Sequence, residues 1–205
     1  MLPEPIKKFI DYFSALPSLG PRQATRLAFY ILRQGKTTIA ELASALHGLT
    51  NIKTCSQCFF PYEISKKYIG SKENLCSICS NDARRQDIVA IVEKETDLMS
   101  LEKTKKFNGR YLVLGNLSKD GILDSDQKLR LNHLKNLLRK NFGKAEEIII
   151  ALNPGTLGDL EASLIFQELE PFARKITRLG RGLPTGGEIE FADEDTLDGA
   201  LDNRR

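Results

Sequence analysis

The chain has 205 residues, 41% of them hydrophobic, with 30 Lys and Arg against 27 Asp and Glu. That length suits one ordinary domain with one or two small ones, and no apolar stretch approaches what a membrane crossing needs. Charge is uneven: residues 1–87 carry 12 basic and 7 acidic side chains, the remainder 18 and 20, and residues 188–203 hold seven acids and no base. A basic front half with an acidic tail fits nucleic-acid binding at one end and protein contact at the other.

Apolar periodicity predicts helices through residues 1–51. Ile6, Phe9, Ile10 and Phe13 share one face of a first helix, and Ala24, Leu27, Ala28, Ile31 and Leu32 repeat the pattern in a second. A third short helix around Ile39–Leu46 takes Thr37 or Thr38 as N-cap and Gly48 as stop. Leu16-Pro17-Ser18-Leu19-Gly20-Pro21-Arg22 joins the first two. This turn resembles a helix–hairpin–helix motif, whose usual core is Pro-Gly-hydrophobic-Gly, with Ser18 at the first Gly position. A tight turn ending at a helix N-terminus presents free N–H groups and the positive end of the helix dipole to a phosphate. Arg22 and Arg26 lie four residues apart and emerge on one face beside it. Such contacts position a protein on nucleic acid without reading sequence. The competing reading is an ordinary helical hairpin with a solvated arginine face.

Cys55-x-x-Cys58 and Cys76-x-x-Cys79 are the chain's four cysteines, with seventeen residues between the pairs. Four soft thiolates on two tight turns suit one tetrahedral Zn²⁺. Two disulfides or four unrelated thiols are the alternatives. Residues 1–20 lack a basic segment followed by an unbroken apolar run, which argues against a secreted disulfide framework. A closed shell of four thiolates makes the metal structural rather than catalytic. Phe59 and Phe60 are expected to form this module's small core. His47 and His133 are expected on helix surfaces, and the five Tyr and ten Phe fall at core spacing without a stacked platform for single strands.

From Ile88 onward short β-branched runs alternate with helical patterns. Ile88–Val92, Tyr111–Leu114 and Ile148–Leu152 are expected strands; Leu129, Leu131, Leu134, Leu137 and Leu138 mark one helix and Leu157–Leu169 another. Such alternation predicts a mostly parallel sheet covered by helices. The first strand ends at Glu93, the last at Asn153-Pro-Gly155-Thr-Leu-Gly158-Asp159. A Glu after one strand and D-x-D-x-x-G-E after another is the pattern of a Toprim domain, which this region resembles. In Toprim enzymes those acids hold Mg²⁺ for phosphoryl chemistry, because a hard cation bridging phosphate oxygens needs several carboxylates. Here Asn153 and Gly155 occupy the two Asp positions and Asp159 the closing Glu. Glu93 and Asp159 remain, with Glu161 close by in sequence; the resemblance implies a retained fold and lost catalysis. The alternatives are a Mg²⁺-dependent Toprim nuclease or primase using Glu93, Asp159 and Glu161, or a zinc adaptor that contacts only proteins.

Taken in order, these motifs and Leu179-Gly-Arg181-Gly-Leu-Pro184-Thr-Gly186-Gly187-Glu188-Ile-Glu190-Phe191-Ala-Asp193 resemble RecR, the bacterial recombination mediator family. Arg26-Leu-Ala28-Phe29, Glu102-Lys103-Thr104, Gly109-Arg110-Tyr111-Leu-Val-Leu114-Gly115 and Asn203-Arg204-Arg205 extend the match. The implied fold class is multi-domain α+β. It comprises a helix–hairpin–helix domain (1–51), a four-Cys zinc finger (52–86), a Toprim domain (87–178) and a C-terminal segment (179–205) used for oligomer contact. The implied function is a non-enzymatic, ring-shaped homotetrameric DNA clamp. It acts with RecO, and often RecF, to load RecA onto single-stranded gaps coated with single-strand-binding protein. Arg22 and Arg26 would face DNA, and Glu93 and Asp159 would lie where RecO docks. One structural Zn²⁺ per chain would sit on Cys55, Cys58, Cys76 and Cys79 and set the angle of the hairpin domain. The implied setting is the cytoplasm, at the nucleoid, with no membrane and no small-molecule substrate. Relatives commonly read N-P-T-x-E-G-E where this chain has Gly155, Leu157 and Asp159, and Asn116 stands where a second Gly is usual. There is no G-x-x-x-x-G-K-[ST] loop to cradle a nucleotide.

Overall fold

A computed structural model of the chain describes residues 2–63, 74–116 and 121–204. Arg205, which closes the Asn203-Arg204-Arg205 match, lies outside the described residues. The chain forms two compact units, Met1–Ile52 and Lys53–Arg205.

The first unit holds three helices, α1 (Glu4–Ser14), α2 (Pro21–Gln34) and α3 (Lys36–Gly48). Pro21 opens α2, where a missing N–H costs nothing. The rings of Phe9 and Phe13 stack at 4.0 Å on α1. Among the described residues of this unit only Ala24 and Ala28 are buried, both on α2, where a small side chain lets a neighbouring helix approach closely. The third helix departs from expectation at both ends. It begins at Lys36, directly after Gly35, whose φ of +89° turns the chain from one helix into the next with no intervening loop. Thr37 and Thr38 therefore lie inside the helix rather than capping it. Gly48 does not end the run either, because a 3₁₀ turn over Leu49–Asn51 continues it.

A two-stranded sheet, β1 (Ile52–Thr54) and β2 (Pro61–Glu63), starts at the boundary between the units and flanks the first cysteine pair. The main sheet of the second unit has four strands: β3 (Ile88–Val92), β4 (Arg110–Val113), β5 (Glu147–Ala151) and β6 (Ile176–Arg178). They are ordered β4-β3-β5-β6, and every pairing is parallel. Expected and observed strands agree within one residue. β6 was not expected, because Ile-Thr-Arg is too short to show a pattern. The helix α4 (Glu95–Lys103) was also missed: its nine residues bury only Leu98.

Both sheet faces are buried, which is why the strands read as unbroken apolar runs rather than alternating ones. Val89, Ile91, Leu112, Ile148 and Ile150 pack under α5 (Ser125–Asn141) and α6 (Thr156–Leu169), against Leu131, Leu134, Leu138, Ile165 and Leu169. The other face carries Ala90, Val92, Tyr111, Val113 and Ala151, which pack with Leu98 of α4 and the four cysteines. The acidic end of the chain is not a plain tail. Asp193 accepts from the backbone N–H of Thr196 and caps a helix α7 (Glu194–Asp202), whose first turn holds Glu194 and Asp195. Acids at a helix N-terminus complement its dipole, so the charge run is a helix-start signal.

Candidate metal centre and nucleic-acid interface

The two C-x-x-C segments fold into facing knuckles. The N–H of Phe59 donates to the carbonyl of Cys55 at 3.0 Å, and that of Ser80 to Cys76 at 2.9 Å, closing the two turns. Phe59 takes φ +63° to make the first turn. These turns bring all four Sγ atoms within 4.8 Å of one another, every one buried. Cys58 and Cys76 sulfurs are 3.5 Å apart, well beyond a disulfide bond and near the roughly 3.8 Å edge of a tetrahedron built on Zn–S bonds of about 2.3 Å. The backbone N–H of Cys76 donates to the Sγ of Cys55 at 3.3 Å, which stabilises thiolate character. Hydrogen bonding from Cys58 holds Cys55 far below the ordinary thiol range, while hydrogen bonding with Cys55 pushes Cys58 and Cys79 up. A divalent cation would resolve that competition by accepting four thiolates at once. The donor set fits a metal.

The module is fastened to the sheet rather than free-standing. β4 is an edge strand, and its Val113 N–H donates to the carbonyl of Cys58 at 2.9 Å, so the first knuckle covers an otherwise open edge. Arg110 reaches the second knuckle, donating to the carbonyls of Ile78 and Asn81 at 3.0 and 3.3 Å. Arg84 pairs with Glu102 at 2.5 Å, and Tyr111 donates to the same carboxylate at 2.8 Å, with burial pushing the Tyr111 phenol up. Phe60 packs on the cysteine side of the sheet, but Phe59 reaches the helical side. There its ring meets His133 edge-on at 5.6 Å and Arg130 at 5.0 Å. His133 is therefore no plain surface residue: its Nε2 is buried and has no partner among the described residues.

The strand-end acids go to different places. Glu93 follows β3 and is 7% exposed; Asn153 Nδ2 donates to its Oε2 at 2.9 Å, and Lys94 Nζ lies 2.9 Å from Oε1. Glu93 is thus met by an ammonium and by an amide, the amide coming from Asn153, which takes the first Asp position of the Toprim pattern. Asp159, in the first turn of α6, accepts from Arg178 at 2.5 Å and from Arg181 at 2.7 and 2.9 Å. These guanidiniums, Arg178 above all, hold its carboxyl below the usual range. Arg181 also lies 3.7 Å from Asp195 of α7. A β-carbon on Gly199 of α7 would fall 2.7 Å from that of Arg181, so glycine is what lets α7 pack this closely on the Arg181 backbone. Glu161 is fully buried and accepts from Gln127 of α5 at 3.3 Å. Glu93 thus meets Asn153 and Lys94, Asp159 meets Arg178 and Arg181, and Glu161 meets Gln127. Among the described residues, the four cysteines are the only group of three or more His, Cys, Asp or Glu placed to hold a metal.

In the first unit, the chain leaves α1 through Leu16–Gly20 and enters α2 at Pro21. Leu19 N–H donates to Leu16 carbonyl at 3.2 Å, and Ser18 takes φ +65°. The serine adopts the left-handed shape that glycine reaches without strain, so the hairpin is kept at a cost. The N-cap of α2 is Gly20, which has no side chain to take up the helix's leading N–H groups. Arg22 and Arg26 are exposed on one side of that helix.

These elements define a helix–hairpin–helix and Toprim protein with a four-cysteine module. Residues 6–49 match the RecR helix–hairpin–helix family, residues 87–180 a Toprim domain, and residues 182–205 the RecR C-terminal family. The chain is 39% identical over 206 residues to the recombination protein RecR of Herpetosiphon aurantiacus, covering 99% of this chain and 95% of that one. Its identity to the RecR proteins of Roseiflexus castenholzii and Gloeobacter violaceus is 38% and 36% over 208 residues, covering all of this chain and 95% and 99% of theirs. The chain belongs to the RecR family of recombination proteins. Among the described residues no helix is long and apolar enough to cross a membrane.

Proposed function

We propose that this protein is a non-enzymatic mediator of recombinational DNA repair, acting in the bacterial cytoplasm at the nucleoid. In this reading four copies close into a ring around DNA and act with RecO, and RecF where present, to load RecA onto gaps coated with single-strand-binding protein. The observation that supports this is the Glu93–Asn153 hydrogen bond, which sets an amide donor against the strand-end carboxylate where the Toprim pattern has an Asp. A carboxylate satisfied by an amide and a lysine has little to offer Mg²⁺, so the domain serves as a scaffold. Zn²⁺ held by Cys55, Cys58, Cys76 and Cys79 supplies rigidity and no chemistry. In this reading Glu93 and Asp159 lie where RecO docks, and residues 179–205 make the contact between copies.

DNA is held by repetition. One hairpin offers Arg22, Arg26 and a few open N–H groups; several around a ring engage phosphates together, which makes binding salt-dependent and indifferent to sequence. Arg22→Ala with Arg26→Ala is expected to weaken DNA binding by one to two orders of magnitude at moderate salt. It should also flatten the log K against log salt slope by about 1.8 per hairpin engaged, and leave the mass by light scattering unchanged. Unchanged affinity at low salt would reject the hairpin as the DNA surface. Failure of the wild-type protein, with RecO, to speed RecA loading on coated single strands would reject the mediator role.

A further inference from the structure

The spacing of aromatic residues predicted a core role for all of them, but α2 buries only Ala24 and Ala28. At about 100° per residue, Gln23, Arg26, Tyr30 and Arg33 fall on the far side of the helix, flanked by Arg22 and Phe29. Leu19, Gln23, Arg26, Phe29, Tyr30 and Arg33 line an open groove of about 640 Å³. Tyr30 is 60% exposed there and Phe29 38%. The helix has no acid, and none of its three arginines joins an ion pair among the described residues.

An aromatic ring left in water between two unpaired guanidiniums has two physical uses. It can be buried by a second copy, or it can stack on a base while the guanidiniums take the flanking phosphates. Charge separates the two. A two-fold interface sets the same patch against itself, bringing three arginines against three, which is repulsive. A polyanion meets the same face with full complementarity. A duplex keeps its base faces inside the stack, so exposed aromatic rings gain contact only on a single strand. Arg26 and Arg33 are separated by about 10.5 Å along the helix axis, leaving room for bases between the phosphates they hold.

We propose that this face of α2 binds single-stranded nucleic acid, with a base stacked on Tyr30 beside Phe29 and phosphates on Arg26 and Arg33. The inference rests on the DNA-binding reading above and adds a strand preference and a stacking residue to it. The test uses the full chain with a fluorescent oligo-dT single strand, an abasic strand of equal length and a duplex. Wild-type protein is expected to bind oligo-dT several-fold more tightly than the abasic strand. Tyr30→Ala should lose about 5- to 100-fold on oligo-dT and almost nothing on the abasic strand, while Tyr30→Phe keeps the preference. Equal wild-type affinity for oligo-dT and the abasic strand overturns the stacking and leaves the phosphate reading standing. No binding to any probe overturns both. A changed mass for Tyr30→Ala with an unchanged dT-to-abasic ratio makes the face an interface between copies and overturns the proposal. Should Tyr30→Ala not fold, photo-cross-linking wild-type protein to a 5-iododeoxyuridine strand decides: cross-links at Tyr30 or Phe29 support the proposal, and cross-links confined elsewhere overturn it.

Discussion

Restoring one Toprim acid tests the claim that the strand-end site is satisfied without a metal. Asn153 donates to a Glu93 carboxylate that is 7% exposed, at 2.9 Å. Asn153→Asp removes the donor, and losing a hydrogen bond to a charged group costs about 1.5–3 kcal/mol. Two carboxylates about 4 Å apart at an effective dielectric of 20 repel by up to about 4 kcal/mol, which Lys94 and proton uptake reduce. A net loss of about 2–4 kcal/mol is expected at pH 7.5, a fall in Tm of about 5–15 °C. The sign with pH is the reverse of a paired acid's. The new carboxyl's folded-state pKa is raised by its neighbour, so the penalty is full at neutral pH and fades as the pH falls and the pair takes up a proton. Millimolar Mg²⁺ or Mn²⁺, binding only the folded form, should restore part of the loss. Thermal melts followed by circular dichroism between pH 5 and 8, with and without Mg²⁺, read all three effects. A variant that melts with the wild type at pH 7.5 and ignores Mg²⁺ would refute the reasoning.

Three further predictions concern the other sites. Metal analysis should return one zinc per chain, and Cys55→Ser or chelation should expose residues 53–63 and 74–82 to protease and lower stability, since the described part of this module buries little but its cysteines; metal-free protein equally resistant to protease would reject a structural zinc. Ser18→Gly should raise the stability of the helical unit by about 0.5–1 kcal/mol, because glycine meets φ +65° without strain, and a denaturant midpoint at or below wild type would reject the strained turn. Arg178 and Arg181 lower the folded-state pKa of Asp159, so its contribution is full above the ordinary Asp value of about 3.9 and is lost as the pH falls through the lowered one. That contribution is small for a pair this exposed, about 1–3 °C in Tm, and Asp159→Asn should abolish it; identical acid melting curves for variant and wild type would reject the clamp.

Local pattern carried much of the molecule. Four cysteines in two tight turns need no distant information to meet, and a parallel sheet buried on both faces writes its strands as unbroken apolar runs such as Ile88–Val92. The hairpin was legible for the same reason, being a single turn between two amphipathic helices. The amphipathic pattern did not say which α2 residues stay outside: Leu27 and Tyr30 sit at helical spacing, yet only the alanines are buried. Nor did an acidic run between Glu188 and Asp202 announce a helix until Asp193 was seen capping it.

What the sequence determined by itself was identity at each local site: thiolates for a metal, arginines beside a hairpin, and an amide and a glycine where a Toprim enzyme has acids. Tertiary structure decided the pairings. Glu93 meets Asn153 across 60 positions, Asp159 is clamped by Arg178 at the end of β6 and Arg181 just beyond it, and the first knuckle lies on the edge of β4. Sequence spacing cannot reveal such contacts, because they depend on strand order: β5 lies beside β3 although β4 comes between them in the chain. That parallel crossover brings the ends of β3 and β5 together, and so places an amide rather than an acid against Glu93.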